Sequence, residues 1–240
     1  MKLIIVGCEY SGTTTLANLV CDWAAREMGV KLVTHDHWKI PDIGCYPHLD
    51  SASPLTDLES KEILALSPKF KEMLQRQSTI MHLPTEDQGE DYLMVGMHIE
   101  DAVYGPLYFD YGGEDEPQGG PRGKYARKLE ERIIRFAPDT ILVLLKAAPE
   151  VILKRMKRCQ RKNGILRSED VELVSSLFEE EYENSLISNK ITLDTSKSTP
   201  DKTMLDLLKQ LDPVLTTSDR MRILAHEVFA ADFVSRTGDK

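Results

Sequence analysis

The chain has 240 residues, 41% of them hydrophobic and 29% charged, a size and balance that suit one globular domain with a sizeable core. A formal net charge of −9 argues against broad nucleic-acid binding. Cys8, Cys21, Cys45 and Cys159 are too scattered for a zinc knuckle or a disulfide framework, which points to a reducing, cytoplasmic setting. The longest apolar runs are only strand-length, so no membrane span is expected, and the first residues enter a strand at once, so no leader is expected either.

Residues 2–7, KLIIVG, form an aliphatic run closed by glycine and predict a fully buried strand. Residues 13–29 space their apolar side chains as a helix does and stop at Gly29. VKLVTHD, 30–36, reads as a second strand ending in His35 and Asp36, with His37 next; an irregular stretch rich in proline, glycine and aspartate follows. Two helices are expected near 55–66 and 68–82, then a third strand over DYLMVGMHI, 91–99. Residues 104–124 are glycine-rich and aromatic and predict a mobile loop, with Glu114–Glu116 as its solvated acidic part. A helix at 125–137, a fourth strand at 140–146, and a basic helix at 149–162 opened by Pro149 come next. An acidic helix at 168–186 has Ser168 as its candidate cap. A last strand at 190–196, a helix at 199–211 and a helical tail at 216–233 complete the series.

Strands alternating with helices imply an α/β fold, a three-layer parallel sheet of about five strands covered on both faces. Residues 1–212 read as one domain, with irregular substrate loops at 37–57 and 100–124 and a basic lid region at 148–167; 213–240 read as a helical extension. The extension's stripe of Met221, Ile223, Leu224, Val228 and Phe229 either completes the core or serves a homodimer contact.

Gly7 and Gly12 are separated by four residues between a buried strand and a helix, the context of G-x-x-x-x-G-K-S/T. Glycines let the backbone turn tightly so that several N–H groups converge on a phosphate, and the helix N-terminus adds its positive end. Gly7, Ser11, Gly12, Thr13, Thr14 and Thr15 are therefore the expected cofactor-binding residues. Thr14 stands where the hydroxyl that holds magnesium belongs, and Thr13 stands where the lysine belongs.

The loop resembles the P-loop superfamily, and two branches share it. Thymidylate-kinase-like and other nucleoside-monophosphate-kinase-like enzymes open with G-x-D/E-G-x-G-K-S/T: Glu9 matches the acidic position, whereas Tyr10 replaces a glycine and Thr13 the lysine. Sulfotransferases using 3′-phosphoadenosine-5′-phosphosulfate (PAPS) carry P-K/R-S-G-T-T, and Ser11–Thr14 match its second half. The rest of the chain is more similar to the kinases. Residues 140–167 resemble their fourth strand and arginine-rich lid helix, and 191–208 their closing strand and helix. No serine follows Lys146 in PEVILKRM where a sulfotransferase would hold a 3′-phosphate. The kinase resemblance implies a doubly wound sheet of order 2-3-1-4-5, ATP and Mg2+ as cofactors, and a small-molecule acceptor. The sulfotransferase resemblance implies PAPS and no metal, and a nucleotide-binding protein without chemistry is the third reading. An active kinase must then replace the lysine, and Arg155, Arg158 and Arg161 on the lid, or Arg122 and Lys124, are the candidate cations. Lys154, Arg158 and Arg161 are expected on one helix face.

Ligands of doubly wound sheets sit outside the carboxyl ends of the strands. Asp36 falls at the second such end and His98 and Glu100 after the third. Asp36 is expected as base or substrate orienter, Glu100 as water-mediated magnesium partner, and one of His35, His37 and His98, or Glu100, as the base in the sulfotransferase reading. His35 and His37 point one way from a strand, a weak metal pair with no third ligand nearby in sequence. Trp38, Tyr46, Tyr104, Tyr108 and Tyr111 either stack on the acceptor or pack the loops.

Overall fold

The structure, a computed structural model, describes residues 1–36, 40, 55–85, 91–113, 121–161 and 164–237, with backbone alone for 33, 36 and 230–237. His37, Trp38, Tyr46 and the 114–116 cluster lie outside the described residues. In chain order the elements are β1 (Lys2–Val6), α1 (Thr13–Glu27), β2 (Val33–Asp36), α2 (Asp57–Ala65), α3 (Pro68–Met81), β3 (Tyr92–Val95) and α4 (Met97–Tyr108). They continue with α5 (Arg122–Phe136), β4 (Ile141–Lys146), α6 (Pro149–Arg158), α7 (Val171–Glu183), β5 (Asn189–Asp194), α8 (Pro200–Leu211) and α9 (Thr217–Thr237).

All five strands are parallel and ordered β2-β3-β1-β4-β5, as the kinase resemblance implies. Strand residues alternate between two faces. Ile4, Val6, Leu142 and Leu144 point into a core shared with Val103 of α4, Ile133 of α5 and Phe178 of α7. Leu3, Ile5, Val143 and Leu145 point the other way, onto Leu16 and Val20 of α1 and Leu207 and Leu211 of α8. β1 thus lies at the centre of a sheet buried on both faces, and the loop that follows it emerges at the middle of the sheet's carboxyl edge.

Four elements differ from the sequence expectation. The third strand ends at Val95, because Gly96 (φ 79°) and Met97 (φ 49°) turn the chain from β3 into α4. Consequently residues 104–108, expected in a mobile loop, are helical; Pro106, which has no N–H, leaves the Ala102 carbonyl without its intrahelical donor, and the helix ends two residues later at Tyr108. Ser168 does not cap α7: its hydroxyl turns to Glu169, and a 3-10 turn, Ser168–Asp170, precedes the helix. The basic helix stops at Arg158, with the Cys159 N–H closing on the Arg155 carbonyl, so Arg161 leaves the face it was expected to share with Lys154 and Arg158.

α3 is packed inside out. Lys71, Glu72, Gln75, Ser78 and Thr79 are buried while Phe70, Met73, Ile80 and Met81 are exposed. The reason is electrostatic: Glu72 pairs with Arg76 one turn on and faces the buried Arg122 of α5 at 3.6 Å. Arg122 in turn pairs with the buried Asp101, which also accepts a 2.7 Å hydrogen bond from the Tyr111 hydroxyl. A buried charge persists only when paired in this way.

α9 is fastened by a second charged cluster. Arg222 bonds Asp91 and Asp219, and the Met1 ammonium bonds both carboxylates. Burial pushes the Asp219 carboxyl up, but the Met1 ammonium, the Thr216 hydroxyl and Arg222 outweigh it and hold the group at about 2. Burial pulls Asp91 up as well, and there Arg222 and the ammonium prevail and hold the carboxyl low. A carboxyl whose folded value is depressed stabilises the fold above its unfolded value and loses that contribution as pH falls through the folded one. The thermal midpoint is therefore expected to drop between about pH 4 and pH 2. Asp219→Asn should flatten that part of the profile, measured by circular dichroism melts; an unchanged slope would show that α9 is held by other means.

Candidate active site

The loop between β1 and α1 is built by its backbone. Gly7 (φ 155°) leaves the strand, the Ser11 N–H closes a turn on the Cys8 carbonyl at 3.0 Å, and Gly12 (φ 107°) opens α1, where the Leu16 N–H bonds the Gly12 carbonyl at 3.0 Å. A Cβ on Gly7 would sit 2.5 Å from the Leu145 carbonyl oxygen and 2.7 Å from Ser11 Oγ, so only glycine fits there. Tyr10, at the position where the kinase pattern has glycine, takes φ 66°, the left-handed conformation glycine would adopt freely. Ser11 is fully buried, and its Oγ has no hydrogen-bond partner among the described residues. Among those residues no side chain caps the N-terminus of α1, which leaves its first N–H groups, from Thr13 onward, to be met by an anion.

This loop borders a cavity of about 650 Å³. Ser11, Gly12 and Thr15 contribute from the loop and α1, and Arg155, Arg158 and Arg161 from α6 and the segment after it. Leu16, Leu19, Leu145 and Pro200 make the rest of the lining mainly apolar, a composition that suits a planar ring beside a phosphate site.

The three arginines differ in what they hold. Arg155 Nη1 donates to the carbonyls of Tyr10 (2.9 Å) and Ser11 (3.3 Å) and to Thr195 Oγ1 (3.1 Å), and Nη2 donates to the Thr195 carbonyl (2.7 Å). Burial lowers its pKa, and its fork is spent mostly on backbone. Thr195, just beyond β5, completes the joint: its hydroxyl donates to the Ser11 carbonyl at 2.8 Å and its N–H to the Lys146 carbonyl at 2.8 Å. Arg158 lines the cavity, and the Arg161 guanidinium lies over the Tyr10 ring, 5.1 Å from its centroid.

At the other strand ends, Asp36 closes β2 in register with Val95. Its side chain is outside the described residues. His98 and Glu100 lie in the first turns of α4 and both are buried. His98 Nε2 is 2.9 Å from Oε1 of Glu130, a carboxylate that also accepts from Ser185 Oγ and the Leu186 N–H. Burial would raise Glu130, but His98 and the other donors prevail and hold it low. His98 therefore ties α4 to α5. The Glu100 carboxylate lies against Gly96, where an added Cβ would collide with Oε2. Burial drives the Tyr104 hydroxyl far up, with Cys8, Glu100 and Glu9 adding to it, and that hydroxyl accepts the Glu9 N–H of the loop at 3.2 Å. Arg122 is committed to Asp101 and Glu72, while Lys124 is exposed on α5. Among the described residues no group of three His, Cys, Asp or Glu could hold a metal ion, and no helix is long and apolar enough to cross a membrane.

The roles of Glu130 and Thr195 carry no local sequence signal, because each depends on partners far along the chain. Tyr10 did carry one: a bulky residue standing in for a loop glycine.

Deoxyadenosine kinase from M. mycoides, solved with dATP bound, matches the structure with a TM-score of 0.56 at 14% identity, over 88% of this chain and 100% of that one. The chain has a P-loop kinase-like fold. This kinase-like fold also matches YorR of Bacillus subtilis, solved in complex with phosphorylated GDP, at 16% identity over 90% of this chain and 99% of that one, TM-score 0.49. Thymidylate kinase from Candida albicans matches at 15% identity over 88% and 91%, TM-score 0.47. No family model matches the sequence, and no curated protein does.

Proposed function

We propose that the chain is a phosphotransferase that moves a phosphoryl group from ATP to a small-molecule acceptor bearing a hydroxyl or a phosphate. The observation that carries this reading is the buried Ser11 Oγ, unpartnered among the described residues, in a glycine loop that borders a cavity walled by arginines. Phosphoryl transfer is mainly positioning and charge stabilisation, so the loop and the cations are the parts that matter. Ser11 and the first N–H groups of α1 hold phosphate oxygens. Arg158 and Arg161 supply the charge that Thr13 lacks, and Arg155 keeps the loop in shape. Magnesium fits this donor set through Thr14, on the uncapped first turn of α1, because the ion takes most of its ligands from phosphate and water. When bound, it neutralises charge developing on the phosphates. Asp36 or Glu100 is the carboxylate that accepts the acceptor's hydroxyl proton, whereas His98 is assigned to packing.

Calorimetric titration with ATP, with and without magnesium, and with 3′-phosphoadenosine-5′-phosphate tests the reading. Magnesium-dependent ATP binding is expected. Tight, magnesium-independent binding of the bisphosphate would mean sulfuryl transfer instead, and binding of neither would reduce the loop to a glycine turn.

A further inference from the structure

The apolar stripe of α9 divides in the structure. Ile223 packs against the core on the α1 side of the sheet. The rest of the helix's inner face is polar: Asp219 is buried, Arg222 bonds it, and His226 lies against Gly29. Met221, Leu224, Val228 and Phe229 face outward instead, 55% to 73% exposed. These side chains all lie within the described residues. A surface helix normally turns its apolar side to the core, so this orientation leaves an unused apolar face. Met221, Leu224 and Val228 are spaced by three and then four residues, the spacing of a seam between two packed helices.

The charges beside the stripe select what fits it. Arg220 and Glu227 are exposed and seven residues apart, so they lie on one flank of the stripe, about two turns from each other. Arg220 also bonds Asp212 at 2.9 Å. When two copies of a helix pack antiparallel about a twofold axis, each flank meets the same flank of the other copy, and every contact occurs twice. Here that sets Arg220 of each copy against Glu227 of the other. Parallel packing would leave Arg220 opposite Ala225 and the charges unmatched. α3 also turns an apolar face outward, with Phe70, Met73 and Ile80. The charges at the same spacing beside that face are Lys69 and Arg76, two cations that such a pairing would bring together.

α9 is fastened to Met1 and Asp91, which precede β1 and β3, so it lies at the amino edge of the sheet, away from the glycine loop. We infer that α9 packs antiparallel on α9 of a second copy, about a twofold axis beside Leu224, and that the chain is a homodimer whose two cavities stay free. The apolar stripe supplies the affinity. The two ion pairs, exposed at the rim, fix direction and register more than strength. The pairing does not depend on the nucleotide reading above.

Sedimentation velocity of the full chain over a dilution series reads the association, and circular dichroism melts check folding. The wild type should be a concentration-dependent dimer whose thermal midpoint rises with concentration. Leu224→Glu should raise the dimer dissociation constant at least tenfold while the variant remains folded and keeps the wild-type affinity for ATP. Arg220→Glu and Glu227→Arg should each weaken the dimer several-fold, and the double variant should restore it to within about twofold, because the exchanged charges meet again. The melts separate this effect from the loss of the Asp212 bond. A wild type that stays monomeric throughout, or a dimer that Leu224→Glu leaves intact, would overturn the pairing. So would a monomer that floats with phosphatidylcholine vesicles, which would make the stripe a membrane contact. A double variant no tighter than the single ones would overturn the antiparallel arrangement. If the wild type binds no ATP, the nucleotide reading falls and the sedimentation results still decide the pairing.

Discussion

Gly7→Ala is expected to abolish nucleotide binding and to destabilise the fold by about 3 kcal/mol or more, from overpacking plus a backbone conformation that alanine resists. The added methyl would stand 2.5 Å from the carbonyl oxygen of Leu145 and 2.7 Å from Ser11 Oγ. The first neighbour is backbone of the adjacent strand, paired on both sides, and cannot swing away as a side chain could. Relief would have to come from the loop, which would carry Ser11 Oγ and the Gly12 turn out of position. Urea unfolding reads the stability loss and calorimetry the binding loss. Gly12→Ala is the internal control, because there, among the described residues, the new methyl meets only Leu145 Cδ2 at 3.8 Å although φ is 107°. Equal, small effects at both positions would show that the loop adapts to a side chain at Gly7.

Arg155→Ala is expected to weaken ATP binding at least tenfold although Arg155 is assigned no phosphate contact. Its guanidinium joins Tyr10 and Ser11 of the loop to Thr195 beyond β5. Each buried carbonyl that loses its donor costs about 1–3 kcal/mol, and charged donors stand at the upper end. A loss on the order of 3 kcal/mol is expected in denaturant, and ~1.4 kcal/mol of loop disorder carried into the ligand-binding equilibrium already accounts for tenfold. Lysine cannot reproduce the two-pronged geometry, so Arg155→Lys should recover little. Arg158→Ala is the contrast: it should cost affinity with little stability. A stable Arg155→Ala protein that loses affinity alone would make Arg155 a direct ligand.

The centre of the sheet was legible because β1, β3 and β4 are runs of apolar residues buried on both faces, and because each is followed by a helical period. The loop was legible because two glycines at fixed spacing have few other uses after a buried strand. What escaped the sequence had long-range causes. Gly105 and Pro106 read as loop residues, yet α4 runs through them, packed against α5 and α7. Arg161 was placed on a helix that ends three residues earlier. Arg122, a candidate phosphate cation, is held by Asp101 and Glu72, whose burial on α4 and α3 no local pattern announces. Burial pulls Arg122 down to about 10, against the opposing pull of Glu72 and Tyr125. Glu9 matched an acidic position of the kinase pattern, but its bonds reach 156 and 157 residues along the chain.

That separation has a consequence for biogenesis. The joint between the Ser11 carbonyl and Thr195 spans 184 residues, so the loop is complete in covalent terms long before its pocket can exist. At ordinary synthesis rates of roughly 5–20 residues per second, the nascent loop waits about 10–40 s for the strand that closes its site. Parallel pairing over such distances is intrinsically slow, since the entropy of closure is lost before the contacts repay it. Ligand capture would thus come at the end of folding, and a fragment lacking β5 would contain every residue of the glycine motif without the wall that closes its pocket.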